Sequence, residues 1–323
     1  MKCLVTGAAG FIGSHVAEAL INRQYAVVGY DNMSTGQTRF VEAALATGAF
    51  TLVDGDVLDT DRLNEAMQNV DIVYHLAANA DIRNGLADPR IDIEQNIMAT
   101  FNVLEAMRSA DVKRIVFASS AAALGEPVQF PTPEDCAIPQ QTSIYGASKM
   151  SGECLISAYC EGFGIEGYAF RFVSILGARY PHGHVFDFVR QLLATPDRLD
   201  VLGDGTAEKS YLNIADCVNA LMHICEDVRP AQSQRAKFAV YHLGSSDFCK
   251  VRDSVNWICD ELGLKPHIAY GLGKRGWVGD NPFVFLDTTK VRSLGWTPQH
   301  SIESSVRETV RWLTSNQWIF EGR

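Results

Sequence analysis

The chain has no run of 18 apolar residues, so no membrane-spanning helix is expected. It has no cluster of Lys or Arg either: 38 acidic residues face 28 basic ones, and the formal charge is −10. Such a surface repels nucleic acid and anionic membranes, and neither is expected as a partner. The eight cysteines are scattered from Cys3 to Cys259 with no C-x-x-C pair. That spacing suits reduced thiols in a cytoplasmic protein better than a disulfide framework. Histidines are scattered too; His182 and His184 lie close together but have no companion ligands, so no metal is expected. No internal repeat or low-complexity linker occurs, and with a first strand expected from residue 2 no signal peptide is expected. What remains is 323 residues with 47% hydrophobic content, enough for one large or two modest cores.

The first six residues hold a short, mostly apolar, β-branched run that suits a buried parallel strand. Gly7, Gly10 and Gly13 follow, with Phe11 and Ile12 between the last two, and then a segment of helical periodicity. A strand, a glycine turn and a helix are the setting in which a dinucleotide binds. The glycines permit the tight turn and the close approach of the pyrophosphate, and the helix start offers NH groups and a positive dipole. A second apolar run, 25–30, ends at Asp31, 18 residues beyond Gly13. A carboxylate there can accept hydrogen bonds from both adenosine ribose hydroxyls and repels a 2′-phosphate, which selects NAD over NADP.

Strand-like runs at 50–54, 70–76, 113–119 and 165–172 alternate with helical spacing at 60–68 and 93–109. Strands separated by helix-length segments imply an α/β protein with a Rossmann-type, doubly wound parallel sheet. Regularity falls after about residue 175. The expected division is an NAD-binding domain over 1–175, rejoined by about 212–243, and a smaller C-terminal α/β substrate domain over 176–211 and 244–323.

Tyr145 and Lys149 stand four residues apart, one helical turn, and so on one face if the segment is helical. A free phenol is a poor base at neutral pH; a close ammonium group favours the phenolate and makes an acid/base catalyst. Ser120 closes the fifth strand and lies 25 residues before Tyr145.

Together these features resemble the extended short-chain dehydrogenase/reductase superfamily, and within it the nucleotide-sugar epimerases of the UDP-glucose 4-epimerase type. The resemblance spans essentially the whole chain. It rests on the three glycines, on Asp31-Asn32-Met-Ser34-Thr35-Gly36, on Asp54-Gly-Asp56-Val57, and on His75-Leu76-Ala77-Ala78. It rests also on Asn96, Ser119-Ser120, Tyr145-x-x-x-Lys149 and, near the end, Leu294-Gly-Trp296-Thr-Pro298. By that resemblance these residues hold NAD, with Asp56 and Val57 reaching the adenine. Tyr145 takes the proton of the sugar 4-hydroxyl while hydride passes from carbon 4 to tightly held NAD. Lys149 lowers the phenol and holds the nicotinamide ribose, and Ser120 hydrogen-bonds the reacting oxygen. A 4-keto intermediate then turns over and takes the hydride back on its other face. A homodimer built on helices at about 93–109 and 146–162 is also implied.

The reaction can be narrowed further. Dehydratases of this superfamily carry an Asp-Glu pair directly after the serine, and the related decarboxylases a Glu. Here Ala121, Ala122 and Ala123 follow, and none can transfer a proton. Oxidation and reduction at one carbon remain, which is what 4-epimerisation requires.

On the substrate side the resemblance implies contacts from Ser120, Ser174, Arg179, His184 and Val185. A second group comprises Lys209, Tyr211, Arg275, Asp280 and Val284. Arg179, Lys209 and Arg275 are the expected ligands of the diphosphate. The chain departs from the family at Ala123-Leu124-Gly125, where Val-Tyr-Gly is usual, and at Ser174, where an Asn is common. Lys209-Ser210 replaces an Arg-Asp pair, and Arg275 comes two residues early in its motif, which runs to Asp280. Val284 occupies a wall beside the sugar 2-substituent, where a tyrosine restricts the pocket to plain hexoses; a valine leaves space for an N-acetyl group. The expected substrates are UDP-GlcNAc and UDP-GalNAc, alongside UDP-Glc and UDP-Gal. Two other readings stay open: an epimerase or reductase of another nucleotide sugar, such as a UDP-uronic acid, and a non-catalytic NAD-binding regulator.

Overall fold

A computed structural model describes residues 1–137, 140–230, 237–276 and 280–321. Contacts divide the chain into two compact units. The first comprises residues 1–125, 137–172 and 218–242; the second comprises 126–136, 173–217 and 243–323.

The first unit is built from alternating elements: β1 (Lys2–Thr6), α1 (Phe11–Asn22), β2 (Ala26–Asp31), α2 (Thr38–Ala46), β3 (Phe50–Asp54), α3 (Thr60–Ala66) and β4 (Ile72–His75). Two short helices follow, α4 (Ile82–Ala87) and α5 (Pro89–Asp92), then α6 (Ala99–Ser109), β5 (Arg114–Ser120), α7 (Ile144–Phe163) and β6 (Glu166–Phe172). The sheet order is β3-β2-β1-β4-β5-β6, with a seventh strand, Phe238–Leu243, beside β6. Pairing is parallel from β3 through β6. Order reverses between β1 and β4, so the crevice beyond their carboxyl ends is the expected ligand site of a doubly wound sheet. Buried Leu4, Tyr30, Val73, Leu104, Phe117 and Ile156 form the core on one face. The inner strands β1, β4, β5 and β6 are buried on both sides because helices cover both faces, which is why their sequences read as apolar runs and not as alternation.

Three features differ from the sequence reading. Residues 93–109 are not one regular helix: Ile93–Met98 form a π-turn, and α6 begins only at Ala99. Of the segment from about residue 212 expected to rejoin the first unit, residues 218–242 do so, but the strand at its start does not enter the main sheet. Tyr211–Asn213 pairs in parallel with Ser174–Leu176 inside the second unit, and the strand that completes the sheet is Phe238–Leu243. The loop 126–136 belongs to the second unit, where the Thr132 amide donates to the Phe285 carbonyl at 2.9 Å and the Asp287 amide to Thr132 at 2.8 Å.

The second unit contains helices His184–Ala194, Val251–Leu262 and Ile302–Ser315. Its strands form small sheets, of which one joins Cys249–Lys250, Glu208–Lys209 and Phe283–Val284. Among the described residues no helix is long and apolar enough to cross a membrane.

Candidate active site

The start of α7 is fixed by its cap. Ser143 is the N-cap, and its hydroxyl accepts the Gly146 amide at 3.0 Å. A Cβ at residue 146 would meet the Ala122 carbonyl at 2.4 Å, so glycine lets this turn press against the segment after Ser120. Tyr145 is thereby carried toward Ser120. The Ser120 oxygen accepts the Ala122 amide at 3.1 Å, and its hydroxyl also hydrogen-bonds the Tyr145 phenol.

Lys149 is 3% exposed, and its ammonium donates to the Ala118 carbonyl at 2.9 Å. The nitrogen sits 5.1 Å from the Phe117 ring centroid and 5.8 Å from that of Tyr145. Burial pulls Lys149 down to about 8, against the support of the Asp92 and Glu153 carboxylates. Burial pushes the Tyr145 phenol up to about 12; the facing Ser120 hydroxyl pulls it back, and Asp92 adds to the rise. Of the groups acting on the phenol in this way, the Ser120 hydroxyl is the one that lowers it. Lys149 is itself held by a carbonyl, and desolvation opposes both charged forms.

The glycine loop has the shape a pyrophosphate needs. Gly7 has φ +70°, and a Cβ on it would meet the Ala77 amide at 2.8 Å; one on Gly13 would lie 2.0 Å from the Gly7 carbonyl. The loop thus packs on the start of the Leu76-Ala77-Ala78 segment and on itself. Gly10 caps α1 with no side-chain hydrogen bond, so the helix start at Phe11 and Ile12 is capped by no side chain where an anion would bind. Asp31 is 8% exposed; it accepts the Ala9 amide at 2.9 Å through one oxygen and the Met33 amide at 2.9 Å through the other. Its pKa is raised by burial, against those two bonds. Each oxygen keeps a lone pair for a ribose hydroxyl. A Cβ at Gly36 would lie 2.7 Å from this carboxylate, so the loop through Ser34 and Thr35 closes tightly over it. Asn32 donates to Asp56 at 2.8 Å, and Val57 is buried beside it. The residues present fit a dinucleotide.

Two residues expected at the cofactor are turned inward. Asn96 is 3% exposed; its carbonyl accepts the Asn79 amide at 2.8 Å, and its NH₂ serves Ser148 at 2.8 Å and Asp92 at 3.1 Å. Its polar atoms are used within the protein, as a clamp on α7. Ser119 donates its hydroxyl to Glu153. Sequence reasoning also missed a buried network behind Lys149, in which Glu153 pairs with Arg171 at 2.7 Å and Arg171 lies 3.3 Å from His242. A signal was there: Glu153 stands one turn beyond Lys149 on the same helical face.

In the second unit, the Lys209 ammonium pairs with Asp280 at 2.6 Å and donates to the Asn281 carbonyl. Arg275 donates to Glu126 and, at 3.1 Å, to the Asp280 carbonyl. Val284 pairs with Lys209 across the small sheet. Trp277, Val278 and Gly279 of the Arg275–Asp280 motif lie outside the described residues. Ser174 is exposed, and Arg179 has φ +68°. His184 donates to or accepts from Ser254 at 2.8 Å, with its ring 5.0 Å from that of Tyr211. Burial pulls this histidine down to about 3, so it is neutral at working pH. Val185 and Tyr211 are 0% and 4% exposed. Their side chains belong to this unit's interior, because the buried face of His184–Ala194 includes position 185, and not to an open surface.

The family model described as "NAD dependent epimerase/dehydratase family" matches residues 3–244. The chain belongs to that family. A putative UDP-glucose 4-epimerase of Methanocaldococcus jannaschii is 31% identical over 97% of this chain and 98% of its own length. A crystal structure of a UDP-galactose 4-epimerase superposes with a TM-score of 0.87 at 33% identity, over 98% of this chain and 100% of that one. The UDP-glucuronic acid 4-epimerase of Bacillus cereus, in complex with UDP-glucuronic acid and NAD, gives 0.87 at 26% identity over 98% and 99%. Like other members of the NAD-dependent epimerase/dehydratase family, this chain has the Rossmann-type sheet, and its cofactor is NAD.

Proposed function

We propose that the protein is an NAD-dependent 4-epimerase of UDP-sugars that accepts UDP-GlcNAc and UDP-GalNAc, alongside UDP-Glc and UDP-Gal. The observation that carries the reaction type is the pairing of Ser120 and Tyr145 with nothing but alanine beyond. The Ser120 hydroxyl, its oxygen already tied to Ala122, has one hydrogen to offer the sugar 4-oxygen. Tyr145, in its phenolate form, receives the proton of that hydroxyl and gives it back. Lys149 is charged below about 8 and keeps a positive charge near the phenol. When bound, NAD would supply the acceptor and donor of a hydride for carbon 4. No side chain at 121–123 can remove or supply a second proton, which argues against elimination.

Val284 supports the N-acetyl reading. It is a small residue opposite Lys209, which is the expected diphosphate ligand. Val284→Tyr should lower the ratio of N-acetylated to plain-sugar turnover, and an unchanged ratio would count against the assignment. A uronic-acid substrate is the second reading, favoured by the likeness to the Bacillus cereus enzyme. Product NMR after incubation with UDP-GlcNAc, UDP-Glc and UDP-glucuronate, without added NAD, separates the readings. No turnover of any of them by protein that contains NAD would revive the non-catalytic alternative.

The functional division proposed for the two units is NAD binding by the first and UDP-sugar binding by the second, in a cytoplasmic protein. A homodimer is proposed through the segment 93–109 and α7, on the support of Met98, Phe101 and Phe163, which are 44%, 38% and 48% exposed.

A further inference from the structure

Asp92 ends α5 and is wholly buried. One carboxylate oxygen accepts amide hydrogens from Asn79 at 2.7 Å and Asn96 at 3.1 Å. The other is buried without a hydrogen-bond partner among the described residues. It has room only because residue 85 is glycine, where a Cβ would lie 2.0 Å from it. A half-satisfied carboxylate in a dry interior is costly unless opposite charge compensates it.

The charge that reaches it is Lys149, which interacts electrostatically with Asp92 in both directions. Each element packed around Lys149 contributes a group. Glu153, from α7 itself, is engaged by Arg171 of β6 through both oxygens and by Ser119 of β5, so its charge is already balanced. His75 of β4 is buried and neutral, drawn down to about 3 by burial and by Lys149. Tyr145 of α7 carries no charge in its resting form. Asp92 of α5 is left as the carboxylate without a cation of its own. It is also tied to the reactive turn: Asn96 donates to the Ser148 hydroxyl at 2.8 Å, and Ser148 donates to the Tyr145 carbonyl at 2.7 Å.

We propose that Asp92 is a positioning residue for the Tyr145–Lys149 pair, serving as counter-charge to the Lys149 ammonium and, through Asn96 and Ser148, fixing the turn that carries Tyr145. This rests on the reading of Tyr145 and Lys149 as the reacting pair. The same negative charge opposes the Tyr145 phenolate, so Asp92 holds both titrations toward higher pH.

The test follows Lys149 itself in the NAD-containing enzyme, by NMR of lysine labelled with ¹³C at Cε, alongside the pH profile of kcat. Asp92→Asn keeps the shape and the Asn79 and Asn96 bonds but removes the charge. It should move the Lys149 titration down by about one to three pH units, the effect of losing a close opposite charge. Both limbs of the kcat profile should move the same way, with KM nearly unchanged. Asn79→Ala disturbs the same pocket but leaves the charge, so it should not lower the Lys149 titration. An unmoved Lys149 titration in Asp92→Asn overturns the proposal even if kcat falls. A moved titration with an unmoved kcat profile upholds the counter-charge and overturns the reading of Lys149 as the reaction's cation. Should Asp92→Asn fail to fold, Gly85→Ala displaces the carboxylate instead and should move Lys149 in the same direction; an unmoved titration there overturns the proposal equally.

Discussion

Lys149 holds its ammonium against the Ala118 carbonyl and the Phe117 ring, in surroundings dry enough to bring its pKa to about 8. The cation is fully present below that value and is lost as pH rises through it. The high-pH limb of kcat should therefore fall near 8, and a profile flat to pH 10 would remove Lys149 from the chemistry. Tyr145→Phe deletes the group proposed to carry the 4-hydroxyl proton and should lower kcat by about 10²–10⁴-fold with little change in KM. Ser120→Ala removes one donor to a developing charge and should cost about 10²–10³-fold in kcat. Single-turnover and steady-state rates on the parent's best substrate check both. The spacing of Tyr145 and Lys149 was readable because helical geometry makes a four-residue interval meaningful. Asp92 was not, since nothing in a lone carboxylate before Asn96 says that it is buried and half-satisfied.

The strand, loop and helix from β1 to α1 were legible because local sequence determines them: an apolar run, three glycines and helical periodicity. Close packing makes the glycines obligatory. Gly13→Ala must push a Cβ into the Gly7 carbonyl, 2.0 Å away, and should destabilise the fold by about 1–3 kcal/mol, the usual cost of overpacking. Protein purified from this variant should carry much less NAD; undiminished NAD with unchanged denaturant midpoint would refute the cradle. The π-turn at Ile93–Met98, where the Thr100 hydroxyl donates to the Asn96 carbonyl at 2.6 Å, left no trace in the periodicity. The pairing of Tyr211–Asn213 with Ser174–Leu176 was equally hidden. Three-residue strands carry too little pattern to name a partner, and only tertiary packing decides it.

Two buried neutral histidines tie the stability of the molecule to pH. His75 is drawn down to about 3 by burial and Lys149, and His184 to about 3 by burial and Lys209. The unfolded chain takes up those protons near 6.5 and the folded chain does not, so stability is lost as pH falls from 6.5 toward 3. Each histidine contributes a slope of up to about 1.4 kcal/mol per pH unit. Urea unfolding at pH 7, 6 and 5 should show the loss, and His75→Gln should make it shallower; an identical slope would exclude His75 as a source. If α6 and α7 form the dimer contact, Phe101→Glu should convert a dimer into a monomer in light scattering, and a parent that is already monomeric would dismiss that assembly. The most direct trial of the whole reading is isotopic. UDP-GlcNAc deuterated at carbon 4, incubated in ordinary water with the purified protein and no added NAD, should yield UDP-GalNAc that still carries deuterium at carbon 4. Deuterium lost to solvent, or a dehydrated keto-sugar in place of the 4-epimer, would show that the hydrogen does not leave and return within one site and that the reaction is not this one.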